Sequence, residues 1–189
     1  AGGGPIGQSI VLALQMIGVD AIVVTELSAS RRELVQSLGV DAIDAAGDDL
    51  VDRIRASLGG DADVAIDAVG IEPTLRASLQ ATRLGGTVCL VGMGAPRLAL
   101  DAFLVSTEER TIVGSFTYSA DDFRDAAAYV GTAPQQARAL ISRQVPLEDA
   151  AAAFAELAAR ADVPGKVLVR LDGDALATTA STPILEEQH

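Results

Sequence analysis

Apolar positions along the chain fall into blocks of two alternating periods. Ile6, Ile10, Val11, Leu14 and Ile17 recur at helical spacing and predict an amphipathic helix that Gly18 ends. The run Ala21-Ile22-Val23-Val24-Thr25 is apolar throughout and reads as a strand covered on both faces. Ser30 and Glu33 have the spacing of a capping box, which predicts a second helix through Leu34, Val35 and Leu38, closed by Gly39. Val40 to Ile43 reads as a strand, and Leu50, Val51, Ile54 and Leu58 line one face of a third helix stopped by Gly59-Gly60. The alternation continues with a strand over Asp63 to Asp67, a helix from Pro73 to Ala81 and a strand over Thr87 to Val91. A helical turn near Ala102, a strand from Thr111 to Phe116 and a helix from Asp121 to Val130 complete it. Strands this apolar belong in a parallel sheet with helices on both faces. Right-handed crossovers then predict an α/β fold with a doubly wound parallel sheet of the Rossmann type.

Ala1-Gly2-Gly3-Gly4-Pro5-Ile6-Gly7 immediately precedes the first helix and has the form G-x-G-x-x-G. Gly2 permits a tight turn, Gly4 lets backbone approach a pyrophosphate, and Gly7 lets the helix pack closely with its N–H groups toward the phosphates. Pro5 suits the first helical turn, where its missing N–H has no partner to lose. Glu26 closes the next strand nineteen positions after Gly7, near where a ribose-binding carboxylate is expected. The first strand, which would deliver the chain into Gly2, is missing from the sequence, so a longer protein is expected. In the strand order 3-2-1-4-5-6 that strand is central. A gap is therefore expected between the strands ending at Glu26 and Asp67, with Ala1 at its mouth. The alternative is that some other segment fills it, for which the stretch from Ala177 to Leu185 is a disfavoured candidate. The 189 residues alone are not expected to form an independently stable domain.

Three further segments, Ala68-Val69-Gly70, Val91-Gly92-Met93-Gly94 and Gly114-Ser115-Phe116-Thr117-Tyr118, lie just beyond strand C-termini. Sharing that edge with Gly4, they mark out a cofactor groove. Asp44, Asp63 and Asp67 read as strand-end or solvated acids rather than catalysts. Cys89 reads as a small buried hydrophobe, and His189, at the chain end, as uninvolved in catalysis.

Charge and composition narrow the partners. A net charge of −12 disfavours binding to nucleic acid. No run reaches the ~18 apolar residues of a membrane span, and the N-terminal stretch lacks the basic flank of a signal peptide. One cysteine excludes an internal disulfide and a multi-cysteine zinc site in this chain. A cytoplasmic location is expected.

Taken together, Gly2 to Gly7, Val23-Val24-Thr25-Glu26-Leu27-Ser28-Ala29-Ser30-Arg31, Gly85-Gly86-Thr87-Val88, Val91 to Gly94 and Gly165-Lys166-Val167 resemble the medium-chain zinc-dependent alcohol/polyol dehydrogenases, sorbitol dehydrogenases above all. The resemblance runs from Gly2 to about Arg170. It implies a pyrophosphate turn at Gly2, Gly4, Pro5, Ile6 and Gly7, with Glu26 in place of the usual aspartate on the adenosine ribose and Arg31 over that ribose and the adenine. It assigns Val91, Gly92 and Met93, with Ser115, Phe116 and Thr117, to the nicotinamide half, and Lys166 to the pyrophosphate. The implied cofactor is NAD, with Arg31 and Arg32 pulling against Glu26 toward NADP. Zinc and the catalytic residues are expected only in an absent catalytic domain. The implied division is 1–141 for the dinucleotide-binding domain, 142–171 for a return segment toward that domain, and 172–189 for a flexible tail. The intact protein is expected to be a homo-oligomer acting on an alcohol or polyol. Two other readings are a non-catalytic nucleotide-binding module and a zinc-free quinone reductase of the same superfamily, the latter disfavoured by Glu26.

Overall fold

Every strand pair in the structure, a computed structural model describing residues 1–159 and 162–171, is parallel. The expectations placed on residues 172–189, including Ala177 to Leu185 and His189, lie outside the described residues. Helix α1 (Pro5–Met16) leads to β1 (Val23–Glu26), α2 (Ala29–Ser37), β2 (Asp41–Asp44), α3 (Leu50–Leu58) and β3 (Ala62–Asp67). Then come α4 (Glu72–Ala81), β4 (Thr82–Leu90), α5 (Phe103–Ser106), β5 (Thr111–Gly114), α6 (Ala120–Thr132) and α7 (Pro134–Ala139). A last β-α-β unit consists of β6 (Ile141–Pro146), a 3₁₀ turn (Leu147–Asp149), α8 (Ala150–Ala158) and β7 (Lys166–Arg170). Among the described residues no helix is long and apolar enough to cross a membrane.

The strands form three groups: β1 beside β2, the row β3-β4-β5, and β6 beside β7. Val24 lies opposite Ala42 in the first, and Ile66, Cys89 and Val113 share a line across the second. Each of the first two groups has its own core. Val11, Val24 and Val35 pack with Ile22, Leu38, Val40 and Ala42. Leu75, Leu79 and Val88 pack with Ala65, Leu90, Leu104 and Ile112. Fully burying a valine or leucine such as Val11, Val35, Leu79 or Val88 contributes roughly 1.5–3 kcal/mol, which is what binds the helices to the strands.

Between β1 and β3 lies a cleft of about 530 Å³, lined by both strand edges, by Ile10, Val11 and Leu14 of α1, and by Ile54 of α3. Ala1 and Gly2 sit at its mouth and bridge it. The Gly2 N–H donates to Thr25 O at 2.8 Å, the Ala68 N–H to Ala1 O at 2.9 Å, and the Ala1 nitrogen to Ile66 O at 2.5 Å. Among the described residues no strand lies between β1 and β3, where the gap is expected.

Several local boundaries differ from those expected. Helix α2 is capped by Ser28, whose hydroxyl accepts from the Arg31 N–H, and not by a Ser30–Glu33 box, because the helix already begins at Ala29. Strand β5 stops at Gly114, which leaves Ser115 and Phe116 in the loop. Strand β4 begins at Thr82, and its register with β3 shifts at Gly85-Gly86, where Gly85 has φ +68°. A Cβ on Gly86 would lie 2.4 Å from Thr82 Cγ2, so the strand passes this kink only with glycine there.

Candidate functional site

The glycine turn is shaped by contacts that leave one of its glycines free. Gly2 has φ +94°, and a Cβ on it would come within 2.8 Å of Val69 Cγ2. A Cβ on Gly7 would fall 1.8 Å from Gly2 O, so α1 is pressed directly onto the turn. Gly4 differs: among the described residues a Cβ there would meet only Arg31 Nη1, at 3.8 Å, which leaves it open. Gly4 is also the N-cap of α1, with Pro5 following, no side-chain cap and no acid in the first turn. The first N–H groups of α1, among them those of Ile6 and Gly7, are thus left for an anion at the positive end of the helix.

Glu26 reaches back from the end of β1 to this turn. Its Oε2 accepts from the Gly3 N–H at 2.8 Å and its Oε1 from the Ser28 N–H at 2.9 Å. The carboxylate is fixed between the glycine turn and the start of α2. The two arginines that follow part company. Arg31 lies beside Gly4, with its Nε shut from solvent and without a hydrogen-bond partner among the described residues. Arg32 instead donates to Glu26 O at 2.9 Å and Leu27 O at 2.6 Å, and pairs with Asp44 at 3.3 Å. The Arg32 guanidinium thus holds the β1–α2 turn.

The other strand ends are drawn into the same edge by Asp67, which is buried rather than solvated. Its Oδ1 accepts from the Val69 and Gly70 N–H groups at 2.9 and 3.0 Å, and its Oδ2 from the Thr74 hydroxyl at 2.8 Å. Its backbone oxygen accepts from Val91 and Gly92. The 68–71 and 91–95 loops then run together, with Gly94 N–H donating to Val69 O and Ala95 N–H to Gly70 O, both at 2.9 Å. A Cβ on Gly70 would lie 2.2 Å from Gly92 O. The Ser115 N–H donates to Leu90 O at 2.9 Å, so the loop carrying Ser115, Phe116 and Thr117 borders the 91–94 loop. Thr117 takes a left-handed φ of +61°, and Met93 and Phe116 are largely exposed. Cys89 is half-buried on β4.

The segment before β7 lies against the glycine turn. Gln8, fully buried in the first turns of α1, donates through Nε2 to Gly3 O at 2.8 Å and to Pro164 O at 2.6 Å. Asp162 accepts from the hydroxyls of Ser28 and Ser30. Those two hydroxyls, helped by the charge of Arg31, hold the Asp162 carboxyl below the usual aspartate range. Lys166 opens β7, its N–H on Leu140 O at 2.7 Å and its side chain exposed. Gln8 and Asp162 were not singled out by sequence reasoning, and Asp67 was read only as a strand-end or solvated acid. Only Asp67 left a signal, an acid ending an apolar strand before a glycine. Among the described residues no three His, Cys, Asp or Glu side chains converge to hold a metal, and they do not fit a zinc site.

A parallel sheet split around a glycine turn, with an acid at the end of the neighbouring strand, defines a Rossmann-type α/β chain. The chain belongs to the zinc-binding dehydrogenase family, whose sequence profile matches residues 5–131. Sheep (Ovis aries) sorbitol dehydrogenase is 31% identical over 157 residues, 81% of this chain and 44% of the relative. D-xylulose reductase A of Aspergillus niger is 30% identical over 164 residues, 84% of this chain and 46% of the relative. The crystal structure of 2R,3R-butanediol dehydrogenase from Bacillus subtilis superposes with a TM-score of 0.77 at 27% identity, covering 90% of this chain and 49% of that one. This chain thus spans a little under half the length of the curated relatives it matches.

Proposed function

We propose that residues 1–141 are the NAD-binding domain of a zinc-dependent medium-chain dehydrogenase, and that 142–171 return the chain toward a catalytic domain outside this sequence. The intact enzyme would transfer hydride between a secondary alcohol or polyol and the nicotinamide. The observation that carries this reading is the pairing of an open Gly4 with Glu26, fixed between Gly3 and Ser28. A pyrophosphate over Gly4 would meet the free N–H groups of α1, with Arg31 alongside. The Glu26 carboxylate would accept the ribose hydroxyls and disfavour a 2′-phosphate. The loops at Val91 to Met93 and Ser115 to Thr117 would border the nicotinamide, which when bound supplies the hydride chemistry. The exposed Lys166 would add positive charge near the pyrophosphate. Zinc, in this reading, is held by residues outside this sequence.

Titration of the full-length protein with NAD and NADP tests the proposal. Binding of NAD in preference to NADP, with the gap narrowed by Glu26→Ala, is the expected result. Tighter binding of NADP, or no binding of either, overturns it.

A further inference from the structure

Asp162 is remote from Glu26 in sequence, yet both carboxylates take hold of Ser28. Glu26 Oε1 accepts its backbone N–H at 2.9 Å, and Asp162 Oδ1 accepts its hydroxyl at 2.7 Å. Asp162 Oδ2 accepts the Ser30 hydroxyl at 2.8 Å, and the two serine oxygens are 3.0 Å apart. Arg31 follows directly, and its charge also acts on Asp162. Two hydroxyls, the start of a nine-residue helix and a guanidinium just beyond the ribose-binding acid are the donors a phosphorylated ribose would use. Here a carboxylate from the return segment engages both hydroxyls.

We propose that Asp162 is a second determinant of NAD over NADP, acting with Glu26. It occupies the Ser28 and Ser30 hydroxyls that a 2′-phosphate would otherwise engage, and it sets a second negative charge beside that phosphate. This rests on the coenzyme reading of Glu26 given above. The position of Asp162 on the pre-β7 segment explains how it is held: Pro164, two residues on, is anchored by Gln8 to the glycine turn at 2.6 Å. The discriminating charge is thus carried by the segment that closes over the turn, in addition to the strand end beneath it.

Asp162→Asn in the full-length protein tests this by equilibrium titration with NADH and NADPH. The expected result is an NADPH dissociation constant lowered by about tenfold, the scale of removing one partly solvated like charge. The NADH constant should stay within about twofold, because the site keeps its shape and Glu26. The gain should shrink as salt is raised, which the loss of a structural contact alone would not produce. An unchanged NADPH-to-NADH ratio in a variant that still binds NADH overturns the inference and leaves the coenzyme reading standing. An equal weakening of both cofactors also overturns it, since that marks a structural clasp. Failure of the unaltered protein to bind either cofactor overturns the coenzyme reading and this inference together.

Discussion

The Gln8 side-chain amide joins two carbonyls that are 161 residues apart on the chain, donating one N–H to Gly3 O and the other to Pro164 O. It is fully buried, so neither carbonyl has water as a ready substitute. Gln8→Ala should therefore lower stability by roughly 1–3 kcal/mol. Amide exchange around residues 162–166 should quicken more than exchange in β4. Gln8→Glu should be worse than its small change in shape suggests, because an ionised carboxylate cannot donate to either carbonyl. Denaturant unfolding with hydrogen-exchange mass spectrometry checks both; unaltered exchange at 162–166 would show that the contact does not anchor the segment.

Two glycines of the same turn should respond in opposite ways. A methyl on Gly7 would collide with Gly2 O at 1.8 Å, whereas on Gly4 it would meet only the end of Arg31 at 3.8 Å. Gly7→Ala should disrupt folding. Gly4→Val should keep a near-normal melting temperature while abolishing NAD binding, because its side chain fills the space proposed for the pyrophosphate. A Gly4→Val protein that binds NAD like its parent would remove the turn from the coenzyme site.

Asp67 separates a change of charge from a loss of acceptors. Asp67→Ala leaves the Val69 and Gly70 N–H groups without their acceptor at the junction of two loops. A cost of about 3 kcal/mol is expected. Asp67→Asn should be much milder. Its oxygen can keep the two N–H groups, and its amide can donate to Thr74 Oγ1, whose own proton can turn to Ile71 O at 2.9 Å. Equal destabilisation by the two substitutions, read from urea midpoints, would refute this account.

Periodicity and glycine placement carried most of the architecture, because α1 repeats its apolar residues at helical spacing and β1 and β3 are short apolar runs between glycine stops. Glu26 was legible for the same reason: it ends an apolar strand at the spacing a βαβ unit imposes. Asp67 was legible as a strand end but not as buried, since burial depends on Gly70 and Gly92 bringing two loops into contact. The partnership of Gln8 with Pro164 and of Asp162 with Ser28 was beyond reach. Those contacts join positions 156 and 134 residues apart, and local pattern says nothing about which loops meet. The capping of α2 was misassigned because Ser28 and Ser30 both suit the role, and the strand end at Glu26 favours the earlier one.

Acid should release the Asp162 clasp late. Its folded-state pKa is lowered, first by the Ser28 and Ser30 hydroxyls and further by Arg31. Its contribution is therefore complete above the unfolded aspartate value of about 3.9, and is lost as the pH falls through the lower folded value. A carboxyl-carbon NMR titration should place the Asp162 midpoint below that of an ordinary aspartate. Ser28→Ala with Ser30→Ala should move the midpoint up toward the ordinary value. A midpoint unmoved by the double substitution would show that the hydroxyls do not hold the charge.

The cleft between β1 and β3 makes the strongest demand on the rest of the protein. Among the described residues each of these strands is paired on one side only, and between them only Ala1 and Gly2 supply backbone partners, at the mouth. Every backbone group left unsatisfied in such a place costs ~1–3 kcal/mol, against a typical total stability of about 5–15 kcal/mol. An extended, apolar segment of about five residues, entering parallel to both strands and continuing into Ala1, would complete both ladders. The 189 residues expressed alone should bind a hydrophobic dye and unfold without a sharp transition. The same residues preceded by such a segment should unfold cooperatively and lose the dye. Cooperative unfolding of the 189 residues by themselves would show that the β1 and β3 edges are satisfied without a strand between them.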